Sequence, residues 1–265
     1  MISASAYPEG AREPVDWELT AQTLAEGELP DGWRLVDSSG FARVAHHPEQ
    51  GVFYKLFLPR SPLESLKAIL RGSRATRARR HNDELRYAGI DAPLNVAWGQ
   101  LPQNREYLVS TAVPGAGVDH WLRQTLATTG TQQGRQRNAL MQQLGVFIGR
   151  LHHSGFVHGD LRTGNVLADF RGGRFQFALI DNERNTRHDM PPGKLLLKNL
   201  MQLNMHTPDE LSRRERWRFF AAWRRQMREL SDTEARLLAQ EAFLWAMRRL
   251  DAKGKLDDNH VGRPA

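Results

Sequence analysis

The chain has 265 residues, 40% of them apolar and 25% charged, values of a globular protein with a substantial core and not of a disordered or fibrous chain. It contains no cysteine, which excludes a disulfide scaffold, a thiolate metal site and a cysteine nucleophile. Its net charge of +7 calls for an anionic partner: nucleic acid, phospholipid headgroups or a phosphorylated substrate.

No apolar run approaches the ~20 residues that cross a bilayer. The first residues, Met1 to Glu9, lack the basic start and apolar stretch of a signal peptide. The expectation is a cytoplasmic protein. Residues 1–30, with Pro8, Pro14 and Pro30, read as an N-terminal extension. Three β-prone runs follow, Trp33–Val36, Phe41–Ala45 and Val52–Leu58, separated by turn-like segments. Ser61-Pro62-Leu63-Glu64 is a capping box that starts a helix, and a second, very basic helix is expected from Arg74 to Ala88. Leu94–Trp98 and Glu106–Thr111 are two more strand candidates. Val113-Pro114-Gly115-Ala116-Gly117 has the composition of a hinge.

Beyond the hinge the pattern is helical. Leu140, Leu144, Phe147, Ile148 and Leu151 recur at helical spacing in Asn138–His152. Two short strands, Val166–Leu167 and Phe175–Ile180, precede helices at Leu195–Asn204, Ser212–Glu229 and Asp232–Leu250. The expected organisation is an extension (1–30), a small β-rich lobe (31–112), a larger helical lobe (113–252) and a loose tail (253–265).

The chemistry concentrates in His158-Gly159-Asp160-Leu161-Arg162-Thr163-Gly164-Asn165, followed at a strand end by Ile180-Asp181. This is the layout of a kinase catalytic loop with its metal-binding aspartate. Asp160 is placed to take the proton of an attacking hydroxyl, and Arg162 to sit near the moving γ-phosphoryl group. Asn165 and Asp181 offer the amide and carboxylate oxygens that suit Mg²⁺. Lys55, in the apolar run Val52–Phe57, is the candidate for gripping the α/β-phosphates of ATP. Glu84 is the best-placed acid to pair with it, the alternative being an i,i+4 pair with a neighbouring arginine. Ser38, Ser39 and Gly40 form the candidate phosphate-covering turn, with one glycine where a glycine-rich loop has three.

The run Gly155 to Asn165, together with Leu179-Ile180-Asp181-Asn182-Glu183-Arg184, resembles the lipopolysaccharide-core sugar kinases, the group of Kdo kinase, heptose kinase and InaA. Gly89-Ile90-Asp91-Ala92-Pro93 and Arg216-Trp217-Arg218-Phe219-Phe220 resemble it too. The resemblance implies a bilobal, α+β, protein kinase-like fold with an antiparallel β-rich N-lobe. It implies ATP- and Mg²⁺-dependent phosphorylation of a sugar in the lipopolysaccharide inner core, on the cytoplasmic face of the inner membrane. Asn182 stands where that family has an apolar residue. The His-Gly-Asp form is also similar to atypical protein kinases and to small-molecule phosphotransferases of the aminoglycoside type; a non-catalytic basic module on the same fold is the remaining alternative. The segment after Asp181 is short and lacks Ala-Pro-Glu, which favours a small or sugar acceptor over a peptide.

Two basic clusters remain. Lys67, Arg71, Arg74, Arg77, Arg79 and Arg80 are expected either as a solvated helix face or as a patch for an anionic membrane surface or the phosphates of a lipid-linked saccharide. Arg213, Arg214, Arg216, Arg218, Arg224, Arg225 and Arg228 read as a solvated face opposite a buried stripe of Phe220, Trp223 and Met227. No nucleic-acid recognition module is present in the sequence, so nucleic acid is not expected as a partner.

Overall fold

The computed structural model describes residues 15–38, 40–58, 72–127 and 130–256. The capping box at Ser61, together with Ser39, Lys67 and Arg71, lies outside the described residues. The chain divides into two compact units, one taking in 15–58 and Val96–Thr111, the other 72–95 and the described residues from Ala112 onward.

The first unit is a five-stranded sheet with one helix on it. Strands β1 (Arg34–Val36), β2 (Ala42–His47), β3 (Val52–Phe57), β4 (Asn95–Leu101) and β5 (Arg105–Thr111) lie in the order β1-β2-β3-β5-β4. The first three form an antiparallel meander, and β5 runs antiparallel to β3. Within the stretch expected only as an extension, Trp17–Glu26 is a helix, α1, capped by the Asp16 carboxylate on the N–H groups of Glu18 and Leu19. Its Ala21, Leu24 and Ala25 cover Val52, Tyr54 and Leu56, the even-numbered side chains of β3. The Tyr54 hydroxyl donates to the Ala21 carbonyl at 3.1 Å. Period 2 therefore sends Lys55 to the opposite face of the sheet.

The second unit begins with the basic helix, α2 (Arg74–Tyr87). Further helices are α3 (Thr131–His153), α4 (Gly193–Leu203), α5 (Arg213–Gln226) and α6 (Asp232–Asp251). Two small sheets join them: β6 (Ala116–Gly117), β8 (Val166–Arg171) and β9 (Arg174–Leu179) in the order β6-β8-β9, and β7 (Phe156–Val157) with β10 (Thr186–Arg187). Part of the glycine-rich segment expected as a hinge is thus strand, with Ala116 and Gly117 opposite Ala168 and Leu167.

The core of this unit combines Leu140, Leu144, Ile148 and Leu151 of α3, Leu196 and Leu200 of α4, and Phe219 and Trp223 of α5. Helix α5 lies close along α3 because Gly145 and Gly149 carry no side chain. A Cβ at Gly145 would collide with the Phe219 carbonyl, and one at Gly149 with the Gln226 side chain. The expected buried stripe is present in Trp223 and Met227, while Phe220 is only partly buried and Phe219 takes the deeper position.

Candidate functional site

Asp160, Arg162, Asn165 and Asp181 all belong to the second unit. The loop that carries the first three is built around His158, which is 1% exposed. Its Nδ1 accepts the Asp160 N–H at 3.1 Å, so Nε2 carries the proton and donates to the Ile180 carbonyl at 3.0 Å. One neutral imidazole thereby ties the proposed base to the residue preceding Asp181. Burial holds the His158 pKa below its ordinary value, which keeps that tautomer intact. The Ile180 N–H also donates to the Asn165 carbonyl at 3.1 Å.

The Asp160 carboxylate, 23% exposed, takes a 2.6 Å ion pair from Arg162 on Oδ2 and a 3.1 Å hydrogen bond from Gln202 on Oδ1. Asn165 donates from Nδ2 to the Asp160 carbonyl at 2.8 Å, which directs its Oδ1 elsewhere. Asp181 is exposed and adopts the left-handed conformation, φ 61° and ψ 45°, at the end of the strand. Gly159 explains the His-Gly-Asp form of the motif: a Cβ there would collide with the backbone and Cβ of Arg184.

An oxygen-rich pair, the Asn165 amide and the Asp181 carboxylate, fits the preference of Mg²⁺ for hard ligands. Among the described residues no group of three or more His, Cys, Asp or Glu could hold a metal by itself. A Mg²⁺ that shares its coordination with phosphate oxygens and waters needs fewer protein ligands.

Asn182, in the place expected to be apolar, is 2% exposed and fully engaged. Its Nδ2 donates to Asn82 Oδ1 at 2.9 Å and to the Leu179 carbonyl at 3.0 Å, and its Oδ1 accepts from Asn185 at 3.0 Å. Its carbonyl receives the His81 Nδ1–H at 2.8 Å. Helix α2 thus presents polar partners to a polar residue, and the amide is buried without an orphaned group. The next residue, Glu183, takes three hydrogen bonds from Arg74 and accepts Arg77 on its carbonyl.

Arg74 and Arg77 therefore face the segment after Asp181 and do not form a solvated patch. Glu84 pairs with Arg80 at 3.3 Å, the i,i+4 alternative. In the first unit, Lys55 lies opposite Val44 and Leu108, with its Nζ 5.2 Å from the Phe57 ring centroid. Ser38 donates its hydroxyl to the Ala42 carbonyl at 2.7 Å and closes the hairpin, and a Cβ at Gly40 would meet nothing.

Asn199 and Gln202 were not singled out by sequence reasoning. Asn199 accepts the His158 N–H at 3.1 Å and donates to the His158 carbonyl at 2.7 Å. The available signal was two amides at i and i+3 inside the apolar run Leu195–Leu203.

The fold is kinase-like. Among solved structures, WaaP in complex with acyl carrier protein aligns over 83% of this chain and 88% of its own, with a TM-score of 0.58 and 19% identity. The bifunctional kinase-methyltransferase WbdD aligns over 88% of this chain and 48% of its own, with a TM-score of 0.48 and 19% identity. No curated protein matches the chain. Residues 63–223 match the Lipopolysaccharide kinase (Kdo/WaaP) family, and the chain belongs to that family.

Proposed function

We propose that this kinase transfers the γ-phosphate of ATP to a hydroxyl of a heptose or Kdo in the inner core of a lipid-linked lipopolysaccharide. The observation that carries the reading is the Asp160 carboxylate, held at both oxygens on a loop whose His158 also binds the carbonyl before Asp181. Asp160 accepts the proton of the sugar hydroxyl as it attacks. Arg162, now paired to Asp160, exchanges that partner for the transferring phosphoryl oxygens. Asn165 and Asp181 hold Mg²⁺, which when bound neutralises charge on the phosphates. Lys55 contributes a cation toward the α/β-phosphates, and Ser38 and Gly40 border the nucleotide from the β1–β2 turn.

Among the described residues no helix is long and apolar enough to cross a membrane. We place the protein in the cytoplasm, on the inner face of the membrane that holds its acceptor. The anionic-surface contact is assigned to α5: Arg213, Arg214, Arg218 and Arg225 are exposed there beside Trp217, which is 62% exposed.

The test uses purified protein, ATP and lipopolysaccharide extracted from cells lacking the protein. The expected result is one phosphate mass increment on the core saccharide, absent with Asp160→Asn. Phosphate found only on a protein or a free small molecule overturns the acceptor.

A further inference from the structure

Gln202 of α4 has no part in the phosphoryl-transfer scheme, yet it touches the proposed base. Its Nε2 donates to Asp160 Oδ1 at 3.1 Å, and its Oε1 accepts from the Leu161 N–H at 3.1 Å and from Asn199 Nδ2 at 3.3 Å. Behind it, Asn199 Oδ1 accepts from His152 Nε2 at 3.2 Å, and His152 Nδ1 accepts from the Trp223 indole at 3.0 Å. Trp223, His152 and Asn199 are all 0% exposed.

The direction of every bond in this chain is fixed by chemistry. An indole N–H can only donate, so His152 Nδ1 is the acceptor and its Nε2 carries the proton. Asn199 must then turn its oxygen to His152, and its NH₂ to the His158 carbonyl and Gln202 Oε1. Gln202 in turn can only offer its NH₂ to Asp160. A flipped Gln202 amide would set an oxygen against a carboxylate and an NH₂ against two donors. The donor sense therefore runs one way, from a buried tryptophan to the catalytic loop.

We infer that Gln202 is a positioning residue for Asp160, and that Trp223, His152 and Asn199 set which way its amide points. The inference rests on the reading of Asp160 as the general base. The bond to Oδ1 fixes the rotation of the carboxylate and leaves Oδ2, now on Arg162, to meet the acceptor hydroxyl. A carboxylate free to rotate would spend less time in the attacking geometry, a loss in kcat and not in ATP binding.

Gln202→Glu separates this role from a merely structural one. It keeps the size of the side chain and the acceptor for Leu161 and Asn199, but faces Asp160 with an oxygen. Turnover is measured with labelled ATP, with either lipopolysaccharide from cells lacking the protein or water as the phosphate acceptor. The expected result is a kcat lower by about tenfold to a hundredfold, the range of one hydrogen bond to a charged group. The KM for ATP stays within about threefold. If Gln202→Glu melts early, Gln202→Met reads the same step without the charge, with kcat down about tenfold and KM kept. A kcat within about threefold of wild type in both variants overturns the inference; if Asp160→Asn still abolishes turnover, the base assignment stands. Wild-type rates in Asp160→Asn, or a wild-type protein that turns over neither acceptor, overturn both.

Discussion

Arg74 and Glu183 are 109 residues apart and form a bidentate ion pair, with side chains 6% and 4% exposed. The pair ties the first turn of α2 to the turn that follows Asp181. Breaking one side of such a pair leaves the buried Glu183 carboxylate without its bidentate partner, Arg184 lying farther off at 3.8 Å. Arg74→Met is therefore expected to lower stability by about 3–5 kcal/mol, read from urea unfolding. Replacing both partners, as Arg74→Met with Glu183→Leu, removes the stranded charge and recovers most of the loss. A single mutant within about 1 kcal/mol of wild type would show that Glu183 finds another partner or reaches water.

The proposed Mg²⁺ ligands differ in their second duties. Asn165 also holds the Asp160 carbonyl through Nδ2, whereas Asp181 is exposed at its strand end. Asp181→Asn is expected to raise the Mg²⁺ concentration for half-maximal turnover by about tenfold or more, because a carboxylate donor becomes an amide, and to keep the left-handed backbone, which asparagine also adopts. Asn165→Ala is expected to raise the Mg²⁺ requirement and also lower stability by about 1 kcal/mol, the value of one lost hydrogen bond. Titrating turnover with Mg²⁺ alongside thermal melts separates the two. Identical behaviour in both variants would count against the division of labour.

How far the sequence reached depended on how local each interaction is. The loop from His158 to Asn165 and the strand-end Asp181 were legible because their spacing is set along the backbone, and the structure brings them together through His158 and Ile180. The inward turn of Arg74 and Arg77 was not, since on a helix of mean polar character an arginine that meets water and one that meets a carboxylate 109 residues on look alike. Asn182 looked like a defect in its motif because its partners, His81 and Asn82, lie on α2. The meander of β1, β2 and β3 followed from β-prone runs set between turn-like segments, but α1 was read as extension even though Asp16, Leu24 and Gly27 mark its start, face and end. Pro14 and Pro30 on either side obscured a helix whose stability comes from packing on Tyr54 and Leu56.

Acid should loosen the second unit at its histidines. Burial lowers the pKa of His152 to about 4, and a proton on Nδ1 would face the Trp223 N–H. His206 is likewise pushed down to about 4, chiefly by burial. Unfolded histidine titrates near 6.5, so between pH 6.5 and 4 the unfolded chain binds more protons than the folded one. Stability is then complete above about pH 6.5 and falls as pH drops through this window, by roughly 1 kcal/mol per pH unit for each group. Urea unfolding at a series of pH values reads the slope. His152→Gln keeps a donor for Asn199 and an acceptor for Trp223 but does not titrate, so its slope should be shallower by roughly 1 kcal/mol per pH unit, while His206, His158 and His81, all held down by burial, keep part of the remainder. An unchanged slope would assign the acid sensitivity to other groups.

The exposed side of α5 sets up the last expectation. At 3.6 residues per turn, Arg213, Arg214, Trp217, Arg218 and Arg225 fall within an arc of about 140°. No acid shares this face, since Glu215, the one acid of α5, pairs with Arg137. A cationic face with an amphipathic ring suits the headgroup region of an anionic bilayer. The protein should sediment with vesicles containing about a third phosphatidylglycerol, bind phosphatidylcholine vesicles weakly, and release as salt rises, because screening shortens the reach of each arginine. Each arginine near such a surface contributes about 1 kcal/mol, so Arg214→Glu with Arg218→Glu should weaken vesicle binding by at least about tenfold. These side chains point away from the α3 contact, so the melting temperature should hold within a few degrees. Vesicle binding unaffected by the double reversal would move the membrane contact to another face or remove it.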